Sequence, residues 1–216
     1  MNRIMAIGAH PDDIEFGCGG TILKHKNNND FVAYVCMTDT ESVDGVTGNV
    51  LRTKQQNASE VYDAVGVLGC DTVDFLPFKD LHVPFSFDAV SGLEKLIRKY
   101  EIDTIYTHWA GDANQDHIST FKTTMAAARY VPNVYCYEQI PVPRMSENQM
   151  TVNYYVDITS EFDKKIQASL CHESQIIKYK EHGFDVEENL EILARFRGIQ
   201  SKCQYAEAFQ TIKRVW

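Results

Sequence analysis

Arg3-Ile4-Met5-Ala6-Ile7-Gly8-Ala9-His10-Pro11-Asp12-Asp13 is the stretch on which the reading of this 216-residue chain turns. Residues 3–8 are almost wholly apolar, which predicts a strand, and they run straight into polar residues and a proline that end it. Residues 31–37 form a second, nearly continuous apolar run, as in a strand buried on both faces of a parallel sheet. Further strands are expected at 72–76, 104–108, 134–138 and 152–158. Helical spacing predicts helices at 19–27, 49–65 and 87–100, the last with Val90, Leu93, Leu96 and Ile97 on one side, and another from His117 to about Tyr130. Two more helices are expected at 160–172 and 187–203. Strands alternating with helices predict an α/β fold with a mostly parallel sheet and helices on both faces.

Nothing divides the chain, so residues 1–216 are expected to form a single domain. The proline-rich stretch Ile140-Pro141-Val142-Pro143-Arg144 is too short for a linker. The polar segment 39–49, with Gly45 and Gly48, reads equally as a mobile lid or as an ordinary surface loop.

His10 and Asp13 fall just past the carboxyl end of the first strand, the edge where sites collect in open parallel sheets. His117 follows the 104–108 strand in the same way. A nitrogen–oxygen–nitrogen set from two such edges suits Zn²⁺ and leaves the fourth position that catalytic zinc needs open. Pro11 fixes φ and helps the chain turn sharply between His10 and Asp13. Asp12, between two ligands, is placed to act as general base, and Asp116, next to His117, to orient a ligand. Short motifs also arise by chance, and Asp12-Asp13 equally fits a helix N-cap. Gly17-Cys18-Gly19-Gly20 offers a phosphate cradle at a helix start as an alternative, but it has neither GxGxxG spacing nor a GK[ST] ending.

The sequence resembles the PIG-L/LmbE family of N-acetylglucosaminyl deacetylases. The resemblance rests on Ala9-His10-Pro11-Asp12-Asp13-Ile14-Glu15 with Gly17 and Gly19-Gly20-Thr21, then Arg52, Phe75-Leu76-Pro77-Phe78-Lys79-Asp80 and Asp116-His117. It continues in His172-Glu173-Ser174-Gln175 and Tyr205-Ala206-Glu207-Ala208-Phe209. It implies a Rossmann-like fold and hydrolysis of an acetamido group on a small-molecule sugar or sugar conjugate. It implies Zn²⁺ held by His10, Asp13 and His117, Asp12 as base, and Arg52 and Asp80 lining the pocket to contact substrate hydroxyls. Relatives commonly self-associate, which leaves a homo-oligomer open.

One departure stands out. Many relatives carry a histidine three residues before the last ligand, where this chain has Asn114. An asparagine amide donates a hydrogen bond to a developing oxyanion but cannot titrate. Either Asp12 then performs both proton transfers, or His108 or His82 supplies the acid, and His108, at the end of its strand, is the better placed. His172 reads as a packing histidine, His25 and His182 as solvent-exposed, and Tyr135, Tyr137, Tyr154 and Tyr155 as strand packing residues. Two rival readings remain: an amidase acting on a larger amino-sugar conjugate, and a sugar-binding relative without catalysis.

Composition sets the outer bounds. Hydrophobic residues make up 44% and charged residues 24%, ordinary globular values. A net charge of -9 argues against nucleic acid or an anionic membrane surface as partner. No apolar run is long enough to span a bilayer, and the short N-terminal apolar run lacks the length of a signal peptide, so a cytoplasmic location is expected. The six cysteines include no CxxC pair and are expected as reduced thiols, several of them in the core.

Overall fold

The computed structural model describes residues 1–44, 46–140 and 149–215. In chain order the elements are β1 (Arg3–Gly8), α1 (Asp13–Asn27), β2 (Phe31–Thr38), β3 (Ser42–Val43), β4 (Val50–Arg52), α2 (Lys54–Leu68), β5 (Thr72–Phe78) and α3 (Phe87–Lys99). There follow β6 (Thr104–Thr107), α4 (Gln115–Ala127), β7 (Asn133–Tyr137), β8 (Tyr154–Asp157), α5 (Phe162–Leu170), α6 (Glu173–Glu181), α7 (Val186–Ser201) and β9 (Ala206–Lys213). Residues 141–144 of the proline-rich stretch lie outside the described residues.

Seven strands form one sheet in the order β5-β2-β1-β6-β7-β9-β8. The first four pairings are parallel, and β9 runs antiparallel to both β7 and β8. Alternation along β1 divides the core. Ile4 and Ala6 face a layer containing Ile14 and Ile22 of α1 and Val61 and Val65 of α2. Met5 and Ile7 face the opposite layer, with Leu93 and Ile97 of α3 and Ala127 of α4. The expected mostly parallel, two-sided α/β fold is what forms. A third cluster joins Phe16 and Ile158 to Phe162 and Ile166 of α5 and Leu190 and Ala194 of α7. No helix among the described residues is long and apolar enough to cross a membrane.

Several boundaries differ from the sequence reading, each for a local reason. The helix expected from Gly19 begins at Asp13 and breaks at Cys18, whose φ of -148° is not helical. Beyond the break the two oxygens of Glu207 on β9 accept from the amides of Gly20 and Thr21 at 2.9 and 2.7 Å. The glycines serve close packing here. A Cβ at Gly17 would lie 2.3 Å from the Tyr137 ring, and one at Gly20 would lie 2.8 Å from Ile158. Strand β9, not anticipated, thereby carries the residue that lets α1 bend against the sheet.

The helix expected over 49–65 is displaced, because residues 50–52 pair with β3 as a hairpin and Thr53 caps α2 through Gln56 N at 3.1 Å. Arg52 therefore closes a strand. Asn114 caps α4 by accepting from Asp116 N at 2.8 Å, which puts His117 inside the first turn. Residues 173–181, with no expected element, form α6. Cys18, Cys36 and Cys136 are buried in the core. Tyr135 and Tyr137 are core residues too, the Tyr137 hydroxyl donating to Ile7 O at 2.9 Å. His25 is a correction: it is half-buried and tied to Asp30 at 2.8 Å and to the Tyr106 hydroxyl at 3.0 Å.

A candidate metal centre at the sheet switch point

The chain leaves β1 toward β2 and returns on the other side of β1 as β6, so strand order reverses between these neighbours. Their carboxyl ends open a crevice, the place where open α/β sheets bind ligands. A cavity of about 410 Å³ fills it, within the ordinary range for small-molecule sites. His10, Asp12, Asp13, Arg52, Asp80, Asn114 and His117 all line it, so seven of the eight expected site residues meet in one place. His108 does not line the cavity; it is fully buried behind Asp13.

Each ring is oriented from behind. His10 Nε2 lies 3.0 Å from Asp116 Oδ2 and 3.3 Å from Asp80 Oδ1, which turns Nδ1 toward Asp13 Oδ2 at 3.6 Å. His117 Nδ1 lies 2.9 Å from Asp112 Oδ2, which turns Nε2 toward Asp13 Oδ1 at 3.3 Å. Carboxylates behind the outer ring nitrogens, with the inner ones converging, are the arrangement that orients metal-ligating histidines. Asp116 thus serves His10 across the crevice. Sequence reasoning missed Asp112, whose only signal was its position five residues before His117, and Gln139, which donates to Asp13 Oδ1 at 2.9 Å.

The donor set fits a metal ion. One ligand atom from each of His10, Asp13 and His117 lies within 4.8 Å of the others. The His117 Nε2–Asp13 Oδ1 separation of 3.3 Å matches neighbouring ligands about a tetrahedral ion with bonds of ~2.0 Å, which stand roughly 3.3 Å apart, and His10 Nδ1 lies 3.6 Å from the other oxygen of the same carboxylate. Two overlapping groupings, His10-Asp80-Asp116 and His108-Asp112-His117, also come together. Their His10–Asp116 and His117–Asp112 contacts, at 3.0 and 2.9 Å, are direct hydrogen-bond distances with no room for an ion between.

The charges respond to this crowding. Burial alone would lower the His117 pKa, but the Asp13 charge and the Asp112 hydrogen bond raise it to about 9. His10 is likewise raised, against its burial, by Asp116, Asp13 and Asp80. Burial would raise Asp13, yet His117 and His108 hold it well below the usual carboxylate range. His108 is pushed down to about 4 by burial and by the neighbouring His117. Its Nε2 lies 3.0 Å from both Ala9 N and Asp13 Oδ2.

Asp12 is different in kind. It precedes α1 with φ of 100°, a conformation unusual for a residue with a side chain, and costs of roughly 1–3 kcal/mol for such strain are found where function imposes it. Its side chain accepts no hydrogen bond among the described residues and faces the cavity. Burial and the adjacent Asp13 raise its pKa to about 6, against the lowering influence of Arg52, His172 and His10. His172 packs fully buried behind the site, 3.4 Å from Glu15, with no hydrogen bond to either ring nitrogen. His82, the alternative acid, donates from Nδ1 to Asp80 O (3.0 Å) on the exposed side and does not line the cavity.

A histidine–aspartate–histidine centre with a carboxylate beside it that is unpaired among the described residues, set at the switch point of an α/β sheet, defines a candidate metal-site architecture on a Rossmann-like frame. The chain belongs to the PIG-L family, described as GlcNAc-PI de-N-acetylase, whose pattern matches residues 5–128. Over 141 residues, 62% of this chain and 72% of the relative, it is 34% identical to the uncharacterized deacetylase YaiS of Escherichia coli K12. The structure of N,N'-diacetylchitobiose deacetylase from Pyrococcus horikoshii superposes with a TM-score of 0.78 at 23% identity, covering 97% of this chain and 83% of that one. That of GalB, the 4-carboxy-2-hydroxymuconate hydratase of Pseudomonas putida KT2440, gives 0.83 at 23% identity, covering 100% and 98%. At such identities the superpositions speak for the fold, and the hydratase shows that the frame serves more than one reaction.

Proposed function

We propose that the chain is a zinc-dependent hydrolase that removes the acetyl group from the nitrogen of an acetamido sugar or sugar conjugate. The observation that carries this reading is the convergence of His10 Nδ1, Asp13 and His117 Nε2 in one cavity beside the Asp12 carboxylate, which has no hydrogen-bond partner among the described residues. His10, Asp13 and His117 hold the ion. Zinc bound there supplies Lewis acidity, polarising a carbonyl and acidifying a water.

The protein's own groups do the rest. Asp12, with a pKa near 6, takes the proton of the attacking water as the C–O bond forms. It returns that proton to the departing nitrogen as the C–N bond breaks, giving acetate and a free amine. His108 is fully buried, does not line the cavity and holds a largely neutral ring near pH 7, so we assign it to packing behind Asp13, with Asp12 performing both transfers. The Asn114 side-chain oxygen is engaged by Asp116 N, leaving its NH₂ group to donate to the developing oxyanion. Arg52 and Asp80 also line the cavity, and we assign them to binding substrate hydroxyls.

The test is acetate release from a panel of acetamido sugars by protein stripped with chelator and then reloaded with zinc. Activity should vanish on stripping and return on reloading. Activity that resists the chelator would remove the metal, and hydration of an unsaturated acid without acetate release would replace the reaction.

A further inference from the structure

Helix α7 is apolar on two opposite sides. Val186, Leu190, Ala194 and Gly198 are buried, with Leu190 and Ala194 in the cluster that holds Phe162 and Ile166 of α5. On the other side Ile192, Phe196 and Ile199, spaced four and three residues apart, stand in water at 58%, 50% and 78% exposure. A helix lying on the surface of a lone chain keeps its outward side polar, and this one does not. Among the described residues α7 lends nothing to the lining of the metal cavity, so the stripe has no part in the chemistry proposed there.

The stripe also has a charged frame. Glu188, Ile192, Arg195, Ile199 and Lys202 follow one another at alternating spacings of four and three, the pattern of a helix-pairing seam. Arg195 is drawn aside by Glu191 at 2.8 Å and the Tyr205 hydroxyl at 3.2 Å, which leaves the middle of the stripe to Phe196. Glu187 and Glu188 stand exposed in the first turn and Lys202 stands exposed at the carboxyl-terminal cap, so the two ends carry opposite charge.

We infer that this stripe is a contact between two copies of the chain, packed with their α7 helices antiparallel about a two-fold axis beside Phe196. Ile192 of each copy then meets Ile199 of the other, and Glu188 meets Lys202. The two pairings have nearly the same midpoint, so a single register satisfies the apolar and charged contacts together, as an isologous interface requires. Parallel helices would instead set Glu188 against Glu188 and Lys202 against Lys202. The acidic first turn and the net charge of -9 turn the stripe away from an anionic membrane. The three side chains offer roughly 350 Å² of apolar surface on each copy, against ~800 Å² per partner for a standard interface, so the pairing is weak and reversible.

Sedimentation equilibrium of the full chain, from roughly 1 to 500 µM, tests this. Wild type should show a monomer–dimer equilibrium with Kd on the order of 10–100 µM. Ile199→Asp, whose contact occurs twice in the dimer, should raise Kd by about tenfold or more. Glu188→Lys and Lys202→Glu should each raise it about fivefold, and the two reversals together should return it to within about twofold of wild type. Circular dichroism checks the fold of every variant, and should Ile199→Asp not fold, the exposed charge reversals decide alone. A wild type that stays monomeric over the whole range overturns the contact and leaves the stripe to a different protein. An oligomer unmoved by Ile199→Asp, single reversals without effect, or a double reversal that does not restore pairing each overturns it as well.

Discussion

The inner wall of the cavity comes from residues a few positions beyond two parallel strands, whereas the outer wall is put together from a hairpin, α2 and α6. Inside, His10, Asp12 and Asp13 follow β1 directly, and Asp112, Asn114 and His117 lie between the end of β6 and the first turn of α4. Outside, Arg52 comes from β4, Gln175 and Lys178 from α6, and the tie between Glu60 and Ser174 spans 114 positions. The inner wall is dense with charge, and its groups hold each other through hydrogen bonds near 3 Å. The outer wall mixes one buried ion pair with exposed aliphatic side chains. A strand edge fixes reacting groups tightly, so chemistry belongs there. A hairpin and a helix can be resized without disturbing the sheet, so selectivity belongs to them.

The contrast breaks most sharply at Asp12. Asp12→Asn should lower kcat by roughly 10²–10⁴-fold, the usual worth of a general base, while the metal content measured on the purified variant stays at the wild-type level. Retained turnover would move the chemistry off the inner wall altogether.

The same substitution should stabilise the metal-free protein. The folded pKa of Asp12, about 6, lies above the ordinary 3.8, so the fold disfavours the ionised carboxylate. That cost is absent below pH ~4, grows through the interval and is complete above pH ~6. Asparagine removes it and also tolerates positive φ. Denaturant unfolding in chelator should show Asp12→Asn ahead by roughly 2–3 kcal/mol at pH 7.5 and level with wild type near pH 4. No gain at pH 7.5 would mean that Asp12 sits in the fold without strain of charge.

The outer wall should respond more weakly and in another parameter. Arg52→Lys loses the planar fork that a buried arginine offers to hydroxyls. It should raise KM about tenfold, the value of one charged hydrogen bond, with kcat within a factor of about two. A matching fall in kcat would place Arg52 with the reacting groups and dissolve the division between the walls.

The sequence made one wall far more legible than the other. The apolar runs of β1 and β2 declare buried parallel strands because both of their faces are covered. His10, Asp12, Asp13 and His117 sit next to strand ends, so their meeting follows once the sheet is recognised. Asp112 and Gln139 escaped because they act through contacts that no spacing encodes. The hairpin of β3 and β4 is too short and polar to announce itself, and α6 (Glu-Ser-Gln-Ile-Ile-Lys-Tyr-Lys-Glu) has only Gln175 fully buried. Strand β9 was hidden by Glu207, a charge inside a strand, which is tolerated because Lys165 Nζ lies 2.6 Å from it and two helix amides point at it.

That last arrangement bears on how the protein is made. Asp12 and Asp13 leave the ribosome far ahead of Glu207, the side chain that accepts from Gly20 N and Thr21 N at the break in α1. The helix that carries Asp13 therefore takes its final course only after position 207 has been synthesised. A motif written early is set in place late.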